Sequence, residues 1–149
     1  MRTIWFDMDG TISNLYAVKN WLDKLINSDP SPYKDAKIIY NMSILARYLN
    51  KLQSKGYGIG IISWLSKNST ENYDIEVTAA KMQWLKQHIP SVKWDVIHIV
   101  KYGTPKQNFR INKNDILFDD EINNRIAWGT KAYEPNQIFQ ILKELNDGA

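Results

Sequence analysis

Two aspartates spaced by one residue follow an apolar segment at the start of the chain, in the order Ile4-Trp5-Phe6-Asp7-Met8-Asp9-Gly10-Thr11. A second acidic pair, Asp119-Asp120, follows the apolar segment at 116–118, and Ser63 ends a third apolar segment. Clustered carboxylates favour a hard cation such as Mg²⁺, and hydroxyl and ammonium groups bind phosphoryl oxygens. These residue types therefore indicate phosphate chemistry at a metal site.

Each of these residues has a role in the transfer of a phosphoryl group. Asp7 can attack phosphorus and form an aspartyl-phosphate, which divides one difficult displacement into two easier ones. Asp9 is placed to protonate the leaving oxygen and then to deprotonate the attacking water. Asp119 or Asp120, together with Asp7, would hold Mg²⁺. Ser63 and a lysine would bind the remaining phosphoryl oxygens.

Two lysines follow the third predicted strand and are candidates for that ammonium group. Lys101 lies nearer the predicted strand end, whereas Lys106 leads into the segment before the acidic pair. Their positions alone leave both lysines open. Trp64, directly after Ser63, either contacts the substrate or packs beside the site.

Short apolar segments alternate with amphipathic ones along the chain. This alternation is typical of βαβ units and predicts an α/β fold with a three-layer, doubly wound parallel sheet. Ligand sites of such sheets lie beyond the carboxyl ends of the strands, so the residues named above are expected to meet at one edge. We predict strands near 2–7, 58–63, 95–100, 115–118 and 130–133, and helices over 15–26, 42–55, 75–88, 121–128 and 135–145.

Residues 12–40 interrupt the alternation with a helical pattern followed by a loop signal, Asn27-Ser28-Asp29-Pro30-Ser31-Pro32. We interpret them as a minimal cap inserted into a single domain of residues 1–149, because so short a segment rarely holds a core alone. Its aromatic residues either form a lid that stacks on a base, with lysines that attract phosphate, or pack the insertion onto the sheet. These residues are Tyr16, Trp21 and Tyr33, with Lys19, Lys24 and Lys34.

Composition restricts the class of protein. A chain of 149 residues with 44% hydrophobic content is long enough for one core, and its net charge of +3 suits anionic substrates as well as a solvated surface. The absence of cysteine excludes disulfides and a cysteine nucleophile. The first strand leaves no room for a leader, and no apolar run approaches the ~20 residues of a membrane span. We therefore expect a cytoplasmic protein with no membrane partner.

Taken together, the motifs resemble those of the haloacid dehalogenase (HAD) superfamily, in its phosphatase branch. The first motif of that family, Asp-x-Asp-Gly-Thr after an apolar strand, is matched by residues 7–11. Ser63 matches the second motif, Lys106 the third and the pair Asp119-Asp120 the fourth. Because of this match we favour Lys106 as the phosphate-binding lysine, and Lys101 is the alternative. The resemblance spans nearly the whole chain, with the motifs in order.

The resemblance implies a fold, a cofactor and a set of roles. It implies the strand order 3-2-1-4-5 and a Mg²⁺ ion held by Asp7, Asp119 and the backbone carbonyl of Asp9, with Asp120 in the same acidic group. It also implies that Asp7 attacks and that Asp9 acts as acid and base. The expected substrate-binding residues are Thr11, Ser63, Trp64 and Lys106.

The substrate class is open to more than one interpretation. The resemblance favours a nucleotidase, similar to 5′(3′)-deoxyribonucleotidases and their small phage-type and bacterial relatives, so that the partner is a phosphorylated small molecule. The alternative is a polynucleotide 3′-phosphatase that acts on nucleic acid ends. In another class, the chain is a non-catalytic module that binds a phosphate ligand. A phosphoacceptor signalling domain is disfavoured, because the third strand ends at Lys101 and not at an acid.

Overall fold

The structure, a computed structural model, describes residues 2–148, so the predicted domain of residues 1–149 exceeds it by one residue at each end. It contains a five-stranded sheet and a separate two-stranded one. Within the described residues the strands are β1 (Thr3–Phe6), β2 (Ser13–Asn14), β3 (Lys37–Ile38), β4 (Gly58–Trp64), β5 (Val96–Val100), β6 (Ile116–Phe118) and β7 (Ala132–Tyr133).

Helices connect the strands of the large sheet and form most of the insertion. In the same range they are α1 (Trp21–Ile26), α2 (Ser31–Asp35), α3 (Met42–Ser54), α4 (Glu71–His88), α5 (Ile122–Trp128) and α6 (Ile138–Asp147). Short 3₁₀ turns lie at Leu15–Ala17, Lys106–Phe109 and Pro135–Gln137.

The large sheet has the order β5-β4-β1-β6-β7, and every neighbouring pair is parallel. Numbered along this sheet alone, the order is 3-2-1-4-5, which confirms the predicted α/β class and strand order. Phe6 pairs with Ile61 on one side and with Phe118 on the other. The chain therefore leaves β1 and β6 at the same level, and Asp7 and Asp119 come out side by side.

Apolar side chains cover both faces of the sheet, as a parallel sheet between two helical layers requires. On one face, Ile4 and Phe6 of β1 belong to a buried cluster with side chains of α3, α4 and α6. On the other face, Trp5 and Leu117 pack with Trp128 of α5. Burial of these large side chains holds β1 at the centre of three layers.

Asp115 fastens the start of β6 to the start of β1. It is fully buried, and its carboxylate accepts hydrogen bonds from the backbone N–H of Thr3 at 2.8 Å and from Nε1 of Trp5 at 3.1 Å. It also accepts from the backbone N–H groups of Ile111 and Asn112. A buried carboxylate with four donors is well satisfied, and it sets the relative height of the two strands that carry Asp7 and Asp119.

The insertion differs from the prediction at its start. The predicted helix over 15–26 is wrong in its first half, because Asn20 adopts a left-handed conformation (φ 58°) and α1 begins only at Trp21. The short antiparallel pairing of β2 with β3 was not predicted, since each strand has only two residues. The insertion packs on α4 through Leu15 and Tyr33, which share a buried cluster with Val77.

Helices α4 and α6 also differ from their predicted bounds. Helix α4 begins at Glu71, four residues before the predicted start, because the Thr70 side chain accepts a hydrogen bond from the Tyr73 N–H and caps it. Helix α6 begins at Ile138, three residues after the predicted start, because Pro135–Gln137 form a 3₁₀ turn, and it ends at Asp147, two residues beyond the predicted end. Among the described residues, no helix has the length and apolar character that crossing a membrane demands.

Candidate active site

Asp7 lies at the end of β1 and is held by two hydrogen-bond donors. Nζ of Lys106 donates to its Oδ1 at 2.9 Å, and Oγ1 of Thr11 donates to its Oδ2 at 3.0 Å. Asp7, Lys106 and Thr11 are all buried. Lys101, the alternative lysine, is exposed. The structure thus brings Lys106, and not Lys101, to the carboxylate that the sequence marks as the nucleophile.

Asp119 and Asp120 leave β6 next to Asp7. Carboxylate oxygens of all three lie within 4.8 Å of one another. Lys106 donates a second hydrogen bond, of 2.7 Å, to Oδ2 of Asp119. Burial of Lys106 opposes its charge, but the two carboxylates outweigh this effect and raise its pKa. One ammonium group is therefore the counter-charge for a cluster of three acids, two of which it contacts directly.

The cluster carries more negative charge than Lys106 offsets. Desolvation, together with the charge of Asp7, raises the pKa of Asp119 to about 6 and that of Asp120 to about 8. Carboxylate oxygens are ligands that Mg²⁺ prefers, and a divalent ion would relieve this repulsion. The donor set of Asp7, Asp119 and Asp120 thus fits a hard divalent cation.

The turn after Asp9 depends on a glycine. Gly10 has a φ of 82°, a conformation that L side chains rarely adopt. A Cβ atom built on it would lie 2.2 Å from Oδ2 of Asp120 and 2.8 Å from Cε2 of Tyr16. This close approach of the β1 turn to β6 brings Asp120 against the other two acids.

Asp9 lies on the other side of the turn and pairs with a lysine of α4. Nζ of Lys81 donates to Oδ2 of Asp9 at 2.9 Å, to Oγ of Ser63 at 2.7 Å and to the backbone carbonyl of Trp64 at 2.6 Å. Burial raises the pKa of Asp9, and the charge of Lys81 partly opposes this rise. Ser63 is fully buried beneath the site, bonded to Lys81.

A cavity of about 460 Å³ opens above the carboxylates. Asp7, Asp9, Lys106, Asp119 and Asp120 lie at its base, and the insertion supplies an apolar wall. That wall consists of Leu15, Tyr16, Trp21, Leu22, Leu25, Ile26 and Tyr33. The volume is that of a site for a small organic molecule.

Trp64 forms the side of the cavity nearest Lys106. Its Nε1 donates to the carbonyl of Thr104 at 2.8 Å, its ring centroid lies 5.0 Å from that of Tyr102, and Nζ of Lys106 lies 5.3 Å from its ring centroid. Tyr102 lines the cavity as well. Trp64 therefore presents a fixed aromatic surface beside the carboxylates.

The structure distributes the residues of the predicted lid between two places. Tyr16, Trp21 and Tyr33 line the cavity, and the rings of the first two lie 4.9 Å apart in an edge-to-face arrangement. The three lysines expected with them do not belong to the cavity wall: Lys19, Lys24 and Lys34. The insertion covers the site with an apolar, aromatic surface and not with a basic one.

Lys81 was missed by the sequence analysis. It falls in the buried stripe of α4, at helical spacing from Val77 and Leu85. A charged residue in such a stripe requires a buried partner of opposite charge, and this signal was available in the sequence. It did not identify Asp9 as that partner, because 72 residues separate the two in the chain.

Comparisons with known proteins agree with this fold. No family model and no curated protein sequence matches the chain. Among solved structures, the chain is similar to D,D-heptose 1,7-bisphosphate phosphatase from Burkholderia thailandensis. The TM-score is 0.62 at 10% identity, over 99% of this chain and 100% of the other, a likeness that shows a shared fold.

Proposed function

We propose that this protein is a Mg²⁺-dependent phosphomonoester hydrolase that works through an aspartyl-phosphate and acts on nucleotides. The observation that carries the proposal is the position of Asp7: a buried carboxylate at a strand end, bonded to Lys106, next to an acidic pair and open to a cavity. Such a group has the surroundings that a carboxylate nucleophile needs.

Asp7 is the proposed nucleophile because its surroundings reduce its repulsion toward a phosphate dianion. Lys106 offsets part of the negative charge, and Thr11 orients the second oxygen. One Asp7 oxygen forms a bond to phosphorus while the bond from phosphorus to the leaving alcohol breaks. Lys106 lines the cavity and would also donate to a phosphoryl oxygen where charge develops.

Asp9 is the proposed acid and base. It lies in the cavity wall two residues after Asp7, and burial raises its pKa, which favours the protonated acid that the first step requires. In that step the leaving alcohol takes a proton from Asp9. In the second step water attacks phosphorus and Asp9 takes a proton from the water. The bond from phosphorus to the Asp7 oxygen breaks, so that Asp7 is a free carboxylate again and inorganic phosphate leaves.

The acidic cluster is the proposed site of Mg²⁺. Asp7, Asp119 and Asp120 supply carboxylate oxygens, and the backbone carbonyl of Asp9 is a further candidate. When bound, the ion would neutralise charge on the phosphoryl oxygens and hold them against Asp7.

The character of the cavity supports a nucleotide as the substrate. Its wall carries aromatic rings from two directions, Tyr16 and Trp21 from the insertion and Trp64 with Tyr102 from the other side. Planar bases stack on such rings, and the volume suits a compact monophosphate. A sugar with a second phosphate would need a further cation. Within the described residues the insertion side of the wall supplies none, although Lys67 lines the cavity elsewhere.

The test is phosphate release from a panel of phosphomonoesters with and without Mg²⁺. The panel holds 5′- and 3′-nucleotides, deoxynucleotides, sugar phosphates, a sugar bisphosphate and 3′-phosphorylated oligonucleotides. We expect turnover that needs Mg²⁺, is abolished by Asp7→Asn, survives the surface control Asp35→Asn and is fastest on a mononucleotide. Preference for an oligonucleotide would establish the end-processing alternative. Turnover indifferent to Asp7, or none, would refute the mechanism and favour a binding module.

A further inference from the structure

Lys81 is a charged group in a place that an apolar residue would normally fill. It is 1% exposed and lies on α4 among Val77, Ala80, Trp84 and Leu85, all buried. Taking an ammonium group out of water is unfavourable unless partners of suitable charge and geometry compensate. The charge of Lys81 must therefore be compensated by partners inside the protein.

The three protons of the Lys81 ammonium group all have acceptors. These are Oδ2 of Asp9 at 2.9 Å, Oγ of Ser63 at 2.7 Å and the carbonyl oxygen of Trp64 at 2.6 Å. Nζ also lies 5.0 Å from the centroid of the Tyr33 ring. Full satisfaction by three groups from two different strand ends fixes the ammonium in one place.

The bond to Asp9 determines which of its oxygens is free for chemistry. Lys81 occupies Oδ2, and the contact of Oδ1 is a long one, 3.4 Å from Oγ of Ser13. Asp9 lines the cavity, whereas Lys81 is not part of the cavity wall. Lys81 thus binds the carboxylate from outside the cavity wall, and Oδ1 is the oxygen left without a short hydrogen bond.

The ammonium group of Lys81 also fixes the hydroxyl group of Ser63. An ammonium group only donates, so the Ser63 oxygen accepts from Lys81 and the hydroxyl proton remains available to another acceptor. Ser63 is fully buried, and its backbone continues into Trp64, whose carbonyl is the third acceptor. The end of β4 and the turn after β1 are therefore joined through Lys81.

We propose that Lys81 is a positioning residue for the reaction, which holds Asp9 in the orientation for proton transfer to the leaving group and from the attacking water. The inference rests on the proposed function of Asp9. Helix α4 then has a role in the site beyond packing. A lysine that acts through Asp9 also has kinetic effects that a purely structural lysine would not have.

The prediction depends on the leaving group. An alcohol such as the 5′-oxygen of a nucleoside leaves poorly without a proton, whereas p-nitrophenolate leaves without one. If Lys81 acts through Asp9, its loss slows the first step for a nucleotide but not for p-nitrophenyl phosphate. Its loss slows the second step for both substrates, because water must lose a proton to Asp9 in each case.

The experiment compares Lys81→Met, which keeps the length and apolar stem of the side chain, with the matched control Lys86→Met on the exposed face of α4. We expect kcat for a nucleoside monophosphate to fall by roughly 10²-fold in Lys81→Met, the loss typical of a misplaced catalytic group. KM should stay within about twofold, since Lys81 does not touch the cavity. Stopped-flow mixing with p-nitrophenyl phosphate should show a rapid burst of one p-nitrophenolate per protein, followed by slow turnover.

Three results would overturn the inference. In the first, the kinetics of Lys81→Met equal those of Lys86→Met. In the second, the burst is lost with kcat, which means that the site has collapsed. In the third, KM rises and kcat does not change, which would make Lys81 a binding residue. Lys81→Arg is the second variant, and it should recover part of kcat because it retains the charge and the donors.

A separate measurement distinguishes failure of this inference from failure of the proposed function. Wild-type protein that releases no phosphate from any ester refutes the function, and the role of Lys81 with it. Urea unfolding of Lys81→Met, Asp9→Asn and the double variant still measures the energetic coupling between Lys81 and Asp9. We expect strong non-additivity, because Asp9→Asn leaves a buried ammonium unpaired only where Lys81 is present. Additive shifts in the unfolding midpoint would refute the coupling even in an active enzyme.

Discussion

Nζ of Lys106 lies 2.9 Å from Oδ1 of Asp7, and both side chains are buried although 99 residues separate them in the chain. The same ammonium lies 2.7 Å from Oδ2 of Asp119. A single cation thus bridges the ends of β1 and β6, the two strands that supply the acidic cluster. The chemistry proposed for Asp7 depends on this bridge.

Loss of the bridge should disable the site. We expect Lys106→Met to lower kcat by about 10²- to 10³-fold, the effect of removing one donor from a site where charge develops. Steady-state kinetics on the best ester of the panel measures it. The exposed Lys101→Met is the matched control and should keep its activity. Equal loss in the two variants would mean that the phosphate-binding lysine is not the buried one.

The acidic cluster predicts an unusual pH dependence of stability in metal-free protein. The pKa of Asp120 rises from its ordinary value of 3.8 to about 8 and that of Asp119 to about 6. Between those limits the folded chain holds protons that the unfolded chain has lost, so the free energy of unfolding should fall as the pH rises.

Thermal unfolding in a chelating buffer, at about pH 5 and about pH 8, measures this dependence. Mg²⁺ should raise Tm more at the higher pH, where the carboxylates have lost more of their protons. The variant Asp120→Asn should flatten the profile. A Tm of the metal-free protein that increases over this range would contradict the proposed electrostatics of the cluster.

Gly10 should tolerate no side chain. Its φ of 82° is unfavourable for alanine, and the new Cβ would meet Oδ2 of Asp120 at 2.2 Å. We expect Gly10→Ala to fold with reduced stability, to lose most activity and to lose the Tm increase with Mg²⁺. Gly56→Ala is the control: it also has a positive φ, of 101°, but its Cβ would meet nothing within 4 Å. If both variants keep the Mg²⁺ response, the approach of Gly10 to Asp120 does not position the cluster.

Asp115 should contribute to stability far from the reaction. The substitution Asp115→Ala leaves several buried N–H donors without an acceptor, each of which costs about 1–3 kcal/mol, so we expect the free energy of unfolding to fall by at least about 3 kcal/mol. Urea unfolding measures the change, with the exposed Asp147→Ala as control. A loss below about 1 kcal/mol would show that water replaces the carboxylate and that the hydrogen bonds of Asp115 to β1 contribute little to stability.

The aromatic wall should select the leaving group. Removal of one ring by Trp21→Ala should raise KM for a nucleoside monophosphate by roughly tenfold, since a stacked base contributes about 1–3 kcal/mol. KM for glycerol phosphate, which has no base, should barely change. The two KM values in wild type and variant measure the effect. A parallel increase for both substrates would argue against base stacking on Trp21.

Much of the fold was predictable because local patterns suffice for it. The apolar segments of the sheet identify the strands, and their alternation with amphipathic helices allows few arrangements other than a parallel sheet. The same logic brings residues at strand ends to one edge, which is why Asp7, Asp9, Asp119 and Asp120 were found from spacing alone. The choice of Lys106 over Lys101 came from the resemblance to a family and not from spacing, and the structure places Lys106 against Asp7.

The insertion was predicted less well because its structure depends on contacts with distant residues. Its two-residue strands carry no periodic signal, and the left-handed Asn20 is not distinguished by the pattern around it. Only packing on α4, where Tyr33 meets Val77, decides how the insertion covers the site. The sequence showed the aromatic residues of the insertion but not that they line the same cavity.

The amino-acid sequence by itself determined which strands form and which acids stand at their ends, because strand periodicity and turn residues act over a few positions. Tertiary structure alone decided the partners. In the sequence, Lys81 is only a charged residue in the apolar stripe of a helix, and Ser63 is a hydroxyl at a strand end. When α4 packs on the sheet, the ammonium group meets Asp9 and Ser63 at 2.9 and 2.7 Å. Such pairs depend on distances between elements that no local pattern encodes.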